Sequence, residues 1–575
     1  MGPKYLKALT TRSLLVAIPI FIATTSLQAQ SSTSSQFQIG SSLEAIADPT
    51  VPRPNTRPCT VTLLSDQAFE NFNNADYTYT PPAQCPGPWA KVVFTADFSI
   101  QPGVQFDRTG QLFLGDVNIF FGTTAEPLQT QTNTWHVERD LTDYTPLFKT
   151  PQTGFASLGN IVGEDGLNSI IFGTFKLEFY PANFLNPAPR TADIVLPLPD
   201  NSGGSVQLNN TGPELSQTFT LPTNVENAYL DVIAQSQNAE EQWFFCLPDA
   251  LGTSLGICGN TAFRQVDVSI DGTPAGVAPI FPWIYTGGVD PGLWVPIPGV
   301  QTLNLLPYRV DLSPFAGVLS NGQPHTIGVT VFNAFNFFST VANLLIYEDH
   351  GSKKVTGEVT ENNLTAPNPA LVNNVTVDSS GNATGVVTVT SAQNFTIAGY
   401  VNTSHGRMST KIQQNVNFSN AQTVTSTATQ FGQSVVQTST IKGTTTTQTG
   451  PLVTAKEMSV SYPFNGGYLE TLETNGDIDQ TSSIAQNFLR NEAETLEGFP
   501  ISQSSVSNQV TSVDTAVFVP SPTGFSLGST SGQSSKQTYV FQDSHGNCFS
   551  RTLTGANNKL TNVADQKDCN QHFPF

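Results

Sequence analysis

Four short stretches bring ionisable and aromatic side chains close enough in sequence to act together. QFDR sets Asp107 and Arg108 side by side at the entry to an apolar run. WHVERDLTDYTPLF carries Glu138, Arg139, Asp140 and Asp143 beside aromatic and aliphatic residues. EEQWFF places Glu240 and Glu241 before Trp243, joining acceptors for hydroxyl groups to an aromatic face on which a sugar ring can stack. WIYTGGVDPGLWVP holds Trp283, Tyr285, Asp290 and Trp294 around a Gly-Gly turn, the composition of an aromatic loop able to cover a glycan. Each has an ordinary structural alternative. These are a solvated ion pair for QFDR, an acid capping the turn at LTDYTPLF while Arg139 pairs with a carboxylate, a strand end for EEQWFF, and packing between sheets for the Trp loop.

The elements that must position these residues read as strands. Runs such as KVVFTADFSI, QLFLGDVNIFFG, SIIFGTFKLEFYP and ADIVLPLP are short, alternating or apolar, and broken by turn residues, which predicts a β-sandwich. After the polar break at 201–204 a second series follows: SQTFTLP, NAYLDVIAQS, RQVDVSIDG, HTIGVTVFNAF and ANLLIYED. From about Gly351 Ser, Thr, Asn and Gln dominate, and Thr/Val alternation predicts strands with one solvated face. The expected organisation is a signal peptide over 1–29, a Ser-rich linker over 30–50, sandwiches over 51–200 and 201–351, and a separate β-rich accessory domain over 352–575.

Composition supports an all-β chain, with 38% hydrophobic residues, only 12% charged residues, and Gly 45, Pro 39 and Phe 38 in 575 residues. The net charge of -20 argues against nucleic acid or an anionic membrane as partner, since both require clustered Lys and Arg. It fits a neutral partner such as a sugar, and acidic surroundings in which carboxylates lose their mutual repulsion. Lys4, Lys7 and Arg12 followed by the apolar run Leu14 to Ala23 and a small residue at Ala29 read as a secretory signal, so the expected location is outside the cell or in a periplasm. The six cysteines fall as near neighbours (Cys59 and Cys85, Cys246 and Cys258, Cys548 and Cys569), and pairing by nearness is one of the connectivities that six allow. No CxxC or HExxH spacing occurs, so no metal is expected. GFSLG at 524–528 matches the serine-hydrolase GxSxG pattern by chance, without a strand-to-helix context.

A run of segments in order, PCTVTLL, YTPPAQCPGPW, VQFDR, TTAEP, WHVERDLTDYTPLF, LEFYP, FRQVDVSIDG, PIFPWIYTGGVDPGLWVPI and YRVDLSPF, resembles the peptide:N-glycosidase family, in its acid-active plant and fungal type, over residues 56–351. A fainter likeness reaches the bacterial F-type enzymes, which implies two adjacent eight-stranded jelly rolls with the site at their interface. Their EWDR is similar to QFDR here, which implies Asp107 as the catalytic acid residue, and their LPTNTEKAYL is similar to LPTNVENAYL at Leu221 to Leu230. Their CAEWCFR aligns with GNTAFR, leaving Asn260 where they carry a functional Glu, so Glu241 or Asn260 is the candidate second group.

The implied reaction is hydrolysis of the amide joining asparagine to the first N-acetylglucosamine, with N-glycopeptides or glycoproteins as partners and no cofactor. Asp107 would accept a proton, and Arg139, Arg264, Asn260 and Glu241 are candidate donors. Trp243, Trp283, Tyr285, Asp290 and Trp294 are candidate substrate contacts, while Arg108, Glu126 and Asp140, the last orienting Arg139, are candidates for support behind the site. Two alternatives stand beside this reading: a secreted glycan-binding protein without turnover, and a glycoside hydrolase using two carboxylates.

Overall fold

The computed structural model describes residues 37–199, 204–210, 212, 214–521 and 524–566, so the expected signal peptide lies outside the described residues. The first sandwich packs one sheet of Cys59–Phe69, Ile171–Pro181, Trp89–Ile100 and Asn133–Asp140 against another of Ala75–Tyr79, Gln152–Leu158, Thr109–Leu114 and Val117–Thr123. Counted in the order the chain visits them, the strands run 1-8-3-6 in one sheet and 2-7-4-5 in the other. Alternation is the cause: Asn133–Asp140 buries every other residue, and Phe94, Phe98, Phe120, Phe175 and Phe179 meet between the sheets.

The second sandwich has a five-stranded sheet built on the central pair Val225–Gln237 and Phe337–Glu348, facing a four-stranded sheet of Leu215–Thr220, Pro324–Phe332, Gln265–Ile270 and Thr273–Pro279. Its fifth strand is Ile194–Leu198, which pairs with Phe337–Glu348. The expected boundary at 200 therefore falls after a strand that already belongs to the second sheet.

Beyond Gly351 a single antiparallel sheet of twelve strands forms, with strands of about twenty residues such as Ala383–Thr403 (21 residues) and Phe499–Ser521 (23 residues). Its inner face mixes Val387, Ile397, Phe418, Tyr462 and Phe464 with buried amides. Phe464 packs on Phe244 with ring centroids 4.5 Å apart, and Tyr462 on Phe281 at 4.9 Å. The amides bind main-chain groups of the loops they cover: Asn420 Nδ2 donates to Phe244 O at 3.0 Å, Gln422 Nε2 to Cys246 O at 2.9 Å and Gln433 Nε2 to Phe245 O at 3.1 Å. Gln486 donates to Pro282 O at 2.6 Å and accepts from Val300 N at 2.7 Å. A loop buried under a sheet needs partners for its main chain, and this row of amides supplies them. Composition changes at Gly351, and the chain from Ile39 onward, with the last sheet in it, forms one compact unit.

From Ile39 on, the segment expected to be a linker is also part of that unit. Gly40 N donates to Leu560 O at 2.7 Å and Leu560 N to Ser41 O at 2.8 Å. Ala47 is fully buried, with its N–H on Gln537 Oε1 at 2.7 Å. Disulfides join Cys59 to Cys85 and Cys246 to Cys258. Cys548 is disulfide-bonded, and Cys569 lies outside the described residues. Among the described residues no helix is long and apolar enough to cross a membrane.

Candidate functional site

Asp107 sits just before the strand Thr109–Leu114, where three segments are sewn together. Arg108 N donates to Thr124 Oγ1 at 2.8 Å, Thr124 N returns to Arg108 O at 2.9 Å, and Thr286 Oγ1 donates to Thr124 O at 2.9 Å. Gly287, next in line, donates its N–H to Asp107 Oδ1 at 3.2 Å. A Cβ on Gly287 would lie 2.7 Å from Asp107 Oδ1 and 2.5 Å from Glu126 Oε1, so two carboxylates crowd one bare backbone position. That crowding is the reason for glycine here.

Glu241 approaches from the second sandwich. The strand Val225–Gln237 ends at Asn238, which takes a left-handed φ of 54° and opens a single helical turn that carries the chain to Glu241. The end of this strand is tied to the first sandwich, because Gln235 and Gln237 each donate to Thr109 Oγ1 at 3.1 Å. Tyr285 OH donates to Ser236 O at 2.5 Å, and Ser236 Oγ to Glu241 O at 3.3 Å.

Electrostatics separates the three acids. Burial pushes Asp107 up, opposed by the Gly287 N–H and by the Arg108 charge. Burial and then the Asp107 charge push Glu126 up to about 8 and Glu241 up to about 7. Behind Glu126 stands Glu44, raised to about 8 chiefly by burial, with the Asn133 amide donating to its Oε2 at 3.4 Å and to Glu126 O at 3.2 Å. Glu44 falls in the stretch read as linker, and Ser-rich composition gives no signal of it. Among the described residues no group of three or more His, Cys, Asp or Glu is arranged to hold a metal ion.

Several candidates from the sequence lie elsewhere. Arg139 is buried, with its guanidinium on Asn304 Oδ1 at 2.8 Å, Phe121 O at 2.9 Å and Leu305 O. Asp140 does not orient it, because neighbours on a strand point to opposite faces; Asp140 binds Lys91 Nζ at 2.6 Å and Thr142 instead. Arg264 and Glu240 form a fully buried ion pair at 3.1 Å, so EEQW divides its acids, Glu240 inward to arginine and Glu241 toward Asp107. Asn260 donates to Ala334 O at 3.0 Å and Asn333 O at 3.4 Å, joining a turn to a hairpin.

The aromatic loop is not open to solvent. Trp243, Trp283 and Trp294 are 1%, 4% and 1% exposed, packed among the residues beneath the last sheet, and Trp294 Nε1 donates to Gly288 O at 2.8 Å. Asp290 is fully buried and caps the turn at Gly292 N at 2.9 Å. Phe106, beside Asp107, is the exposed ring of this region at 58%. Arg108 reaches from Asp107 back over the Phe106 ring and to Gln105 Oε1.

A family model described as "Peptide N-acetyl-beta-D-glucosaminyl asparaginase amidase A" matches residues 48–365. The "Peptide-N4-(N-acetyl-beta-glucosaminyl)asparagine amidase A" of Prunus dulcis is 30% identical over 389 residues, which are 64% of this chain and 67% of that one. Among solved structures, PNGF-II overlays with a TM-score of 0.37 at 14% identity, covering 51% of this chain and 66% of that one. Recombinant peptide: N-glycanase F (PNGase F) does so at 0.36 and 13%, covering 51% and 96%. The match to the family model spans both sandwiches and the three acids between them, and the chain belongs to the peptide N-acetyl-beta-D-glucosaminyl asparaginase amidase A family.

Proposed function

We propose that the chain hydrolyses the amide between an asparagine side chain and the first N-acetylglucosamine of an N-glycan, giving aspartate and a glycosylamine. The observation that carries this reading is the meeting of Asp107, Glu126 and Glu241 where the two sandwiches join, with no cation among the groups that shift Glu126 and Glu241. Burial lifts Asp107, but the Gly287 N–H and the Arg108 charge oppose that lift, and in this reading Asp107 is the base that takes a proton from the attacking water. Glu241, kept protonated below about pH 7, donates to the departing nitrogen as the tetrahedral carbon collapses. Glu126, raised by burial and by the Asp107 charge, stays protonated beside Asp107 below about pH 8.

Buried Arg139, Arg264, Trp243, Trp283 and Trp294 hold the loops, and Phe106 is the ring offered to the sugar. The strand order of the first sandwich supports reading it as a jelly roll. The basic and apolar N-terminal stretch, together with the disulfides, supports export to an oxidising compartment, where N-linked glycopeptides are the partners.

Incubation with an N-glycopeptide followed by mass spectrometry tests the reading. Aspartate in place of the glycosylated asparagine, with the whole glycan released, is the expected product. A peptide retaining N-acetylglucosamine would instead mean glycoside hydrolysis, and an unchanged peptide retained by the protein would mean binding alone.

A further inference from the structure

The turn that presents Gly287 to Asp107 is held from behind by a second pair of acids. Asp290, three residues on, is fully buried; its Oδ1 accepts from Gly292 N, and the Ser482 hydroxyl and the Asp514 carboxyl also bear on its carboxyl group. Asp514, on the strand Phe499–Ser521, is 3% exposed, and its carboxyl group meets the Asp290 carboxyl and the Thr515 main chain. A Cβ on Gly292 would collide with Asp514 Oδ2 and lie 3.2 Å from Asp290 Oδ1, so the two carboxyl groups flank one point.

The surrounding groups are neutral. Ser482 pairs with Asp514 across the strands. Gln480 donates to Val289 O at 2.9 Å, Ser512 to Leu293 O at 2.6 Å, and Asn558 to Gly292 O at 2.9 Å. Gln533 accepts from Asn558 N at 2.9 Å. None of these titrates, and among the described residues no cation contributes to the setting of either acid. Two carboxylates in such a space cannot both ionise; with a shared proton they bond, and without it they repel.

We infer that Asp290 and Asp514 are a proton-dependent positioning pair, which docks the 285–294 turn on the C-terminal sheet in acid and thereby sets the Gly287 N–H against Asp107. The consequence for the reaction rests on the reading of Asp107 above; the docking does not. Burial pushes Asp290 up, and burial and then the Asp290 charge push Asp514 up to about 7. Folded values above the unfolded one mean that the docking is complete below the ordinary aspartate value of about 3.9 and weakens as pH rises through about 7.

The test is hydrogen exchange of the 285–294 segment in the full chain, corrected for the intrinsic rate at each pH. In the wild type, protection should fall about tenfold or more between about pH 5 and pH 8. Asp514→Asn, whose amide donates at every pH, should lose most of that dependence while keeping turnover in acid. Asp514→Ala, lacking both repulsion and bond, should be loosened at all pH values. The ratio of kcat in Asp514→Asn to kcat in the wild type should rise with pH. Flat protection in the wild type, or an equal fall in Asp514→Asn, would overturn the pair's role even if a variant folds poorly. The expected protection pattern in a chain that leaves glycopeptide amides intact would count for the docking and against the reading of Asp107.

Discussion

Two groups of carboxylates lie in and beside the first sandwich, and they are treated oppositely. Around Glu138 the acids are compensated: Arg53 bonds both of its oxygens at 2.8 and 2.7 Å, and His136 Nε2 sits at 3.0 Å. Against the pull of burial, His136 and Arg53 hold Glu138 down at about 2, while Asp97 and Glu138 lift His136 to about 9 against its own burial. Around Asp107 the same residue type is raised instead, chiefly by burial and then by the Asp107 charge, with no cation among the described residues to offset either. The first group fastens the 51–53 segment to a strand. The second keeps protons near neutral pH, which a fold does not need and an amide hydrolysis does.

The contrast can be broken most strongly at Asp107. Asp107→Asn should lower kcat by roughly two to four orders of magnitude, as loss of a general base does, while the melting temperature stays level. Adjacent Glu240 and Glu241 give the next largest effects, of opposite kinds. Glu240→Gln removes one partner of a buried pair and should cost about 3–5 kcal/mol in chemical denaturation. Glu241→Gln should leave the denaturation midpoint in place and cost turnover about tenfold or more. Equal behaviour of the two would erase the distinction between the groups.

Smaller effects should appear in the pH dependence of stability. Glu138, lowered in the fold, contributes stability that is complete above the ordinary glutamate value of about 4.3 and is lost as pH falls toward about 2. Glu126, raised in the fold, does the reverse: its share is complete below that ordinary value and is lost as pH rises through about 8. Glu126→Gln should therefore flatten the decline of the melting temperature between about pH 5 and pH 8 and leave the acid side unchanged. Smallest of all, Gln486→Leu, which leaves Pro282 O and Val300 N without partners, should cost about 1–3 kcal/mol and raise exchange in the 282–300 loop.

Much of the fold was legible because alternation and apolar runs are local. KVVFTADFSI, SIIFGTFKLEFYP and RQVDVSIDG all lie in strands, and the all-β reading holds. What composition concealed was the partner of the Trp loop. Trp283 and Trp294 among Gly and Pro read as a lid, since the sheet that buries them is written in Gln, Asn, Ser and Thr, not in the vocabulary of a core. Amides that bind main chain look like solvated residues until the loop beneath them is in place. At the site, QFDR and EEQW drew attention to Asp107 and Glu241 by residue type and resemblance. Glu44 and the Gly287 amide left no mark, because both reach the other acids only through contacts far apart in sequence.

The pairing of Gly40 and Ser41 with Leu560 has a bearing on biosynthesis. The segment that carries Glu44 up to Glu126 is seated on the strand Lys559–Asp565, which is made long after both sandwiches. During synthesis both sandwiches can emerge and collapse while that segment still lacks its seat, since domains form as the chain is extruded. The complete arrangement of acids then arrives only once the strand that carries Leu560 has been made, which ties the onset of hydrolytic competence to synthesis of the C-terminal sheet.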